Sequence, residues 1–408
     1  MQIKNLIIPC EAKLLCDLLY RYGYEGRLVG GYVRDILKGL TPHEIDMATN
    51  ARPDAVIDIC QSNDIRAIPT GISHGTVTVV VNGKQVEITT LRRDVNCYGR
   101  HADVAFTDDW QEDAKRRDFT INAMSLDRNL KLYDFFHGQE DLHNNIVRFI
   151  GDPKERIRED YLRIMRYFRF LGYFEELQLD NDSFYGAVSL SDNLNKISPE
   201  RIRSELLKIL SCRAPHIPIR LMLNEEVFQR IGLGFNSKIH IEKLYFSSDS
   251  LINLALIMKL SNISNVDILR KLKFSNAEQK LVGELLKCKL DNHFEVTLQN
   301  MVKGIDATSD IHNKMQEVGK DIYLKLFEMH FCNEIKSLAS CNYSETLSSF
   351  KLIINSIKLK DFPLSGKDIL DLGYSGKDIG IELRLARNLW INSNCTLDKQ
   401  SLIKLLQS

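Results

Sequence analysis

No CxxC pair occurs in the chain, and its nine cysteines are scattered singly over 408 residues. An odd count without metal-ligand spacing argues against a disulfide-stapled scaffold and reads as reduced thiols in a cytoplasmic protein. Net charge is lacking too, because 54 basic residues meet 54 acidic ones. That balance excludes a protein that coats nucleic acid nonspecifically, while leaving room for a local basic surface. No apolar run approaches twenty residues, so no membrane-spanning helix is expected. The opening MQIKNLIIPCEAK lacks the basic stretch and long apolar core of a secretory signal. Neither GxGxxG nor GxxxxGK[ST] is present, which removes the dinucleotide fingerprint and the P-loop.

What is present changes character near residue 150. Before it, short strand-like runs alternate with one helix-like run. RLVGG reads as a strand, YVRDILKG as a helix beginning right after the glycines, and EIDMAT as a second strand. HGTVTVVVNGKQVEITTLR reads as a hairpin turning at Asn82-Gly83. LKLYDFFHGQEDLHNNIVRFIG reads as short strands around turns, and the polar stretch 92–110 as a loop. After it the pattern is helical. KERIREDYLRIMRYFRFLGYF reads as one long helix, and SPERIRSELLKIL as another with Ser198 as N-cap and Pro199 at its first position. Residues 1 to about 150 thus look α/β and the remainder helical, with boundaries near 150 and 215.

Chemistry concentrates in GGYVRDILKGLTPHEID, residues 30–46. Alternate side chains of a strand share a face, so Glu44 and Asp46 point the same way. Two such carboxylates repel unless a cation lies between them. Hard divalent ions take oxygen ligands and keep positions open for a substrate phosphate. Alone, the pair reads more simply as two solvated acids. Gly30 and Gly31 shift that reading, because bare backbone ahead of a helix lets a phosphate approach closely. Arg34, one turn on, could reach the same anion.

With these residues in view, LVGGYVRDILKGLTPHEIDMATNARPD resembles the signature of class II tRNA nucleotidyltransferases and bacterial poly(A) polymerases, of the DNA polymerase β superfamily. Further motifs follow in family order. EDAKRRDFTINAM is similar to the RRDFTxNAM motif, GDPKERIREDYLRIMRYFRF to the block around EDPLR, and ISPERIRSELLKIL to SxERIxxEL. The tail LSGKDILDLGYSGKDIGIELRLARNLWI resembles that of many CCA-adding enzymes. Three departures stand out. Glu44 replaces the first aspartate of DxD, Tyr161 replaces the proline of EDPLR, and LGYSGKDIG replaces a PGP-containing stretch.

The resemblance implies the α+β class, with a mixed-sheet, polymerase β-like N-terminal head followed by an all-helical region, divided as a catalytic head over 1–150, a helical neck over 151–215 and a helical body and tail over 216–408. It implies nucleotide transfer from CTP or ATP to an RNA 3'-hydroxyl, with release of pyrophosphate. It implies Mg2+ held by the catalytic pair Glu44 and Asp46, and triphosphate contacts from Gly30, Gly31, Arg34 and Arg117. Glu87 is a candidate extra carboxylate, or equally a strand acid paired with a nearby arginine. Asp118 and Asn122 are expected to brace their segment. Base choice is expected from Asp160 and Arg163, with Arg166 assisting. Arg169 belongs to the resemblance but falls about 180° from Asp160 on a continuous helical wheel. A carboxylate accepts from the exocyclic amine of cytosine or adenine and opposes the carbonyls of uracil and guanine. In CCA-adding relatives a flexible loop at the place of 92–110 supports the switch from C to A. No HD dipeptide occurs, so an appended phosphohydrolase domain is not expected. The implied partner is tRNA, with no membrane and an open oligomeric state. The leading expectation is CCA addition. The alternatives are a poly(A) polymerase of the same family and a catalytically weak tRNA-binding protein.

Overall fold

The computed structural model describes residues 8–42, 44–98, 101–287, 292–302, 307–334 and 343–407. The first seven residues, His43, and residues 99 and 100 of the polar 92–110 stretch lie outside the described residues. The chain divides into two compact units, Met1–Ile231 and Gly232–Ser408.

Among the described residues of the first unit, nine strands form: β1 (Gly26–Val29), β2 (Ile45–Thr49), β3 (Arg66–Gly71), β4 (Thr76–Val81), β5 (Lys84–Thr90), β6 (Arg92–Tyr98), β7 (His101–Phe106), β8 (Ser125–Leu126) and β9 (Leu132–Tyr133). Seven of them build one sheet in the order β3-β4-β5-β2-β1-β8-β9. Only β2 and β5 run parallel, so the sheet is mixed and the class is α+β. β1 is buried at every position, as a central strand must be. The β4–β5 hairpin turns at Asn82 and Gly83, both at positive φ (50° and 78°), the backbone a two-residue hairpin turn requires.

Helix α1 (Cys10–Arg21) buries Ala12, Leu15, Cys16 and Leu19, a helical stripe facing the sheet. Helices α2 (Gly31–Leu37), α3 (Pro53–Gln61), α4 (Trp110–Lys115) and α5 (Gly138–His143) complete the region before residue 150. Two readings from sequence are corrected here. The 92–110 stretch is not a loop, because β6 and β7 pair antiparallel as a separate ribbon. The stretch from Leu130 to Gly151 holds the helix α5 as well as the short strand β9.

Beyond it come α6 (Pro153–Glu159), α7 (Leu162–Leu171), α8 (Asn181–Ser189), α9 (Pro199–Leu210) and α10 (His216–Asn224). The expected long helix is thus two helices. Asp160 leaves the helical region, with φ −153° and ψ 106°, and separates α6 from α7. Ser198 does occupy the N-cap of α9, yet its side chain makes no capping bond. An aromatic cluster fastens α7 to the RRDFT segment. The Phe119 ring centroid lies 4.8 Å from Phe149 and 5.1 Å from Phe170, and Phe149 stacks on Tyr167 at 5.4 Å.

Every described secondary-structure element of the second unit is a helix. Helix Ser250–Leu260 is apolar nearly all round and packs against helices Asn276–Lys287 and Lys320–Glu334. A separate small core gathers Leu364, Ile369, Ala386, Trp390 and Leu402, with Phe362 edge-on to Trp390. No described helix is long and apolar enough to cross a membrane.

Candidate active site

A pocket of about 560 Å3 opens in the first unit where β2, α2, the RRDFT segment, α7 and α9 meet. Gly30, Gly31, Arg34, Glu44, Asp46, Arg117, Asp160, Arg163, Arg166 and Arg169 line it, as do Asp118 and Asn122, while Glu87 of the residues singled out from sequence does not.

Asp46 is the second residue of β2, and Glu44 stands just before the strand. The parallel register sets Glu87 of β5 directly beside Asp46. Burial, then the nearby charges of Glu87 and Glu44, push the Asp46 carboxyl up to about 6 against the pull of Arg117. Neither the Glu44 nor the Asp46 side chain makes a hydrogen bond or ion pair with any described residue. A half-buried carboxylate crowded by acids and lacking a cation is a misfit by itself and a fit for a divalent ion. Glu87 is exposed and does not line the pocket, so it acts on Asp46 from the side. Among the described residues no group of three or more His, Cys, Asp or Glu side chains converges as a ready metal cage.

The glycine pair follows β1, whose antiparallel register with β2 brings it beside the start of that strand. Gly30 has φ +65° and ψ −130°, a conformation that disfavours any side chain, and a Cβ there would stand 3.1 Å from Arg117 Nη1. The pocket arginines are held by partners both local and distant: Arg34, Arg117 and Arg163 pair with nearby acids, and Arg166, Arg169 and Arg201 with acids of other segments. Arg34 donates through Nη1 to Asn122 Oδ1 at 2.8 Å, and Asn122 Nδ2 donates to Asp118 Oδ1 at 3.2 Å. Asp118 in turn accepts from Arg166 Nε at 2.6 Å. Burial alone would raise the Asp118 carboxyl, but Arg166 and Asn122 outweigh it and hold the carboxyl below its ordinary value. Asp118 and Asn122 therefore join Arg34 of α2 to Arg166 of α7. Arg117 rests on Asp113 and on the Asn122 carbonyl.

Base-side geometry departs from the helical wheel in three ways. Asp160 is not on one helix with Arg163, because it lies in the break between α6 and α7. Its partner is Arg201 of α9, which donates Nη2 to Oδ2 at 2.6 Å and Nη1 to Oδ1 at 3.2 Å. Oδ1 also accepts from the Leu162 amide at 3.1 Å. A carboxylate offers about four acceptor positions, so one on Oδ2 remains. Arg163 pairs with Glu159 and donates to the carbonyls of Arg156 and Arg116, which leaves its Nε–H and one Nη2–H. Arg169 is not turned away. The 180° offset was counted from Asp160 along a helix that is interrupted there, and within α7 Arg163, Arg166 and Arg169 recur every three residues on one face. Arg169 donates to the buried Glu205 of α9 at 2.7 Å.

Sequence reasoning missed Arg201, Arg116 and Phe170 as lining residues. Arg201 carried a signal, because it sits inside the SPERIR match. Phe170 carried none, since an aromatic at helical spacing reads as core. Its ring stands within 5.1 Å of the Arg34 guanidinium carbon and 4.4 Å of that of Arg169.

A mixed-sheet head whose pocket gathers an acidic pair, a glycine turn and an arginine-rich wall defines a nucleotidyltransferase. The family of the poly A polymerase head domain matches residues 26–148. A second family, described as the probable RNA and SrmB-binding site of polymerase A, matches residues 176–236. The chain is 36% identical over 407 residues to the human mitochondrial CCA tRNA nucleotidyltransferase 1, covering 97% of this chain and 89% of the relative. It is 30% identical to the CCA-adding enzyme of Ligilactobacillus salivarius, covering 97% and 96%. The crystal structure of the Bacillus stearothermophilus CCA-adding enzyme in complex with CTP superposes with a TM-score of 0.78 at 25% identity, over 97% of this chain and 96% of that one. The chain belongs to the CCA-adding tRNA nucleotidyltransferase family.

Proposed function

We propose that this protein adds C, C and A to the 3' end of tRNA, using CTP and ATP and releasing pyrophosphate. One observation carries the reading. A single pocket holds an uncompensated carboxylate pair, a bare glycine turn flanked by Arg34 and Arg117, and an Asp160 acceptor beside Arg163. These are the parts that nucleotide transfer with a choice of base requires. The relatives support it, being named as CCA tRNA nucleotidyltransferase and CCA-adding enzyme.

Glu44 and Asp46 would hold Mg2+, which when bound stabilises charge on the reacting phosphate oxygens. The chain's own residues do the rest. The Gly30–Gly31 backbone admits the triphosphate closely, and Arg34 and Arg117 neutralise it. Asp160 accepts the exocyclic amine of cytosine or adenine through its remaining Oδ2 position. Arg163 donates to the ring acceptor from the N–H groups that Glu159 leaves unused. Uracil and guanine set a carbonyl against Asp160 and are refused, because a polar site left unpaired costs affinity. Arg166 and Arg169 complete the wall.

The labour is divided among a catalytic head over 1–150, a base-reading neck over 151–215, and a tRNA-holding body and tail over 216–408. The β6–β7 ribbon is the segment we assign to the switch from C to A. The six described free cysteines fit a reducing compartment, for which we read the cytoplasm. The vertebrate relatives are named as mitochondrial, so a tagged chain imaged in its own cell decides between the two.

The test is extension of a tRNA lacking its terminal CCA with CTP and ATP supplied together. Three added nucleotides are expected. A long adenosine tail would mark a poly(A) polymerase, and no extension would mark a tRNA-binding protein weakened by Glu44.

A further inference from the structure

Arg34 is held from below by a residue that none of the motifs contains. Its guanidinium donates twice to one oxygen of the next residue, Asp35, with Nε at 2.9 Å and Nη2 at 2.7 Å from Oδ1. Two donors on one oxygen do not lock a carboxylate as a fork across both oxygens does. A third donor reaches the same oxygen. The Tyr173 hydroxyl, 138 residues away, donates to Asp35 Oδ1 at 2.8 Å. The Tyr173 ring also lies under the guanidinium, 4.6 Å from its carbon, and the Phe170 ring lies at 5.1 Å.

Tyr173 can stand there because Gly172 precedes it. A Cβ at Gly172 would meet Cys212 Sγ at 2.2 Å and Pro218 at 3.1 Å, so only glycine lets the end of α7 approach this closely. The chain leaves α7 at Gly172, and Tyr173 returns towards α2. The base wall and the phosphate grip thereby share a fixed strut.

Donor arithmetic shows what the strut presents. Arg34 has five N–H groups. Two go to Asp35 and one to Asn122. Two remain, and Nη2 stands 3.5 Å from where a Cβ of Gly31 would be, beside the bare backbone of the turn. The guanidinium is thus fixed on three sides, with its spare donors left for an anion.

We propose that Tyr173 is a positioning residue that, through Asp35, orients Arg34 towards the triphosphate shared by CTP and ATP. This rests on the reading of Arg34 as a triphosphate contact. Tyr173→Phe keeps the ring and removes only the hydroxyl. It is expected to raise KM for CTP and for ATP by the same factor, about fivefold, the size of one net hydrogen bond. The inhibition constant of inorganic tripolyphosphate is expected to rise equally, with kcat within about twofold of the original, as loss of uniform binding dictates. Arg34→Lys separates the two claims. If Arg34→Lys leaves tripolyphosphate inhibition unchanged, the reading of Arg34 falls. If Arg34→Lys weakens that inhibition and Tyr173→Phe does not, the positioning role of Tyr173 falls alone. In the double variant, Tyr173→Phe is expected to add nothing to Arg34→Lys. Full additivity, or unequal changes for CTP and ATP, would overturn action through Arg34.

Discussion

Arg201 grips the Asp160 carboxylate with both Nη nitrogens, 2.6 Å to one oxygen and 3.2 Å to the other. The pair joins α9 to the break between α6 and α7. It sets which way the Asp160 carboxylate, the proposed base-reading acceptor, faces. Arg201→Ala is predicted to lower C and A addition alike, by about tenfold or more, since two charge-assisted bonds are lost. Arg201→Lys restores the charge without the fork and is predicted to recover only part of the rate. Single-turnover extension with CTP and with ATP measures both. A full recovery by lysine would show that charge alone, and not orientation, is what Arg201 supplies.

Asp118 gives a pH-dependent prediction. Its folded carboxyl lies below the ordinary value, held there by Arg166 and Asn122 against the opposing effect of burial. Such a group contributes stability above its unfolded pKa and loses that contribution as pH falls through the folded value. Asp118→Asn is therefore predicted to be less stable than the original protein at pH 7, by about 2–3 kcal/mol. The gap should narrow as the pH falls below about 4, where the original carboxyl also protonates. Urea unfolding at a series of pH values tests this, and a gap independent of pH would contradict it.

Tyr167 presents the reverse case. Its hydroxyl is buried among aromatic rings without a hydrogen-bond partner. Removing an unsatisfied buried hydroxyl relieves a desolvation cost. Tyr167→Phe is predicted to stabilise the protein by about 1 kcal/mol and to leave nucleotide addition unchanged, since Tyr167 does not line the pocket. A loss of stability of that size would mean that the hydroxyl is satisfied by ordered water.

Asp46 should show the cost of crowded acids. Burial with Glu87 and Glu44 nearby disfavours its ionised form. In the presence of a chelator at neutral pH, Asp46→Asn is predicted to be more stable than the original protein by about 1–2 kcal/mol. Added Mg2+ should raise the melting temperature of the original protein and not that of the variant. The variant should bind tRNA while failing to extend it. Equal Mg2+ stabilisation of both proteins would place the ion elsewhere.

The pocket's composition was legible because its residues sit in long motifs, each with a strong local signature. Its internal wiring was not. Asp160 and Arg201 are 41 residues apart, and Tyr173 and Asp35 are 138 apart, so no periodicity links them. The break at Asp160 was hidden for a specific reason. Relatives mark it with proline after the aspartate, whereas Tyr161 here lets the apolar period run on as though through one helix. The β6–β7 ribbon was hidden because its polar sequence shows neither alternation nor a turn dipeptide of the kind that Asn82-Gly83 supplies to β4–β5. The mixed sheet and the helical remainder followed from patterns that packing did not override.

The central claim is that one pocket reads both C and A through the Asp160 carboxylate. The most direct test is extension of a tRNA lacking CCA by Asp160→Ala, with each of the four nucleotides offered singly. The predicted result is weaker use of CTP and ATP together with new incorporation from UTP and GTP, because the acceptor that opposed their carbonyls is gone. An Asp160→Ala protein that still refuses UTP and GTP as completely as the original would contradict the account and move base selection to another part of the pocket.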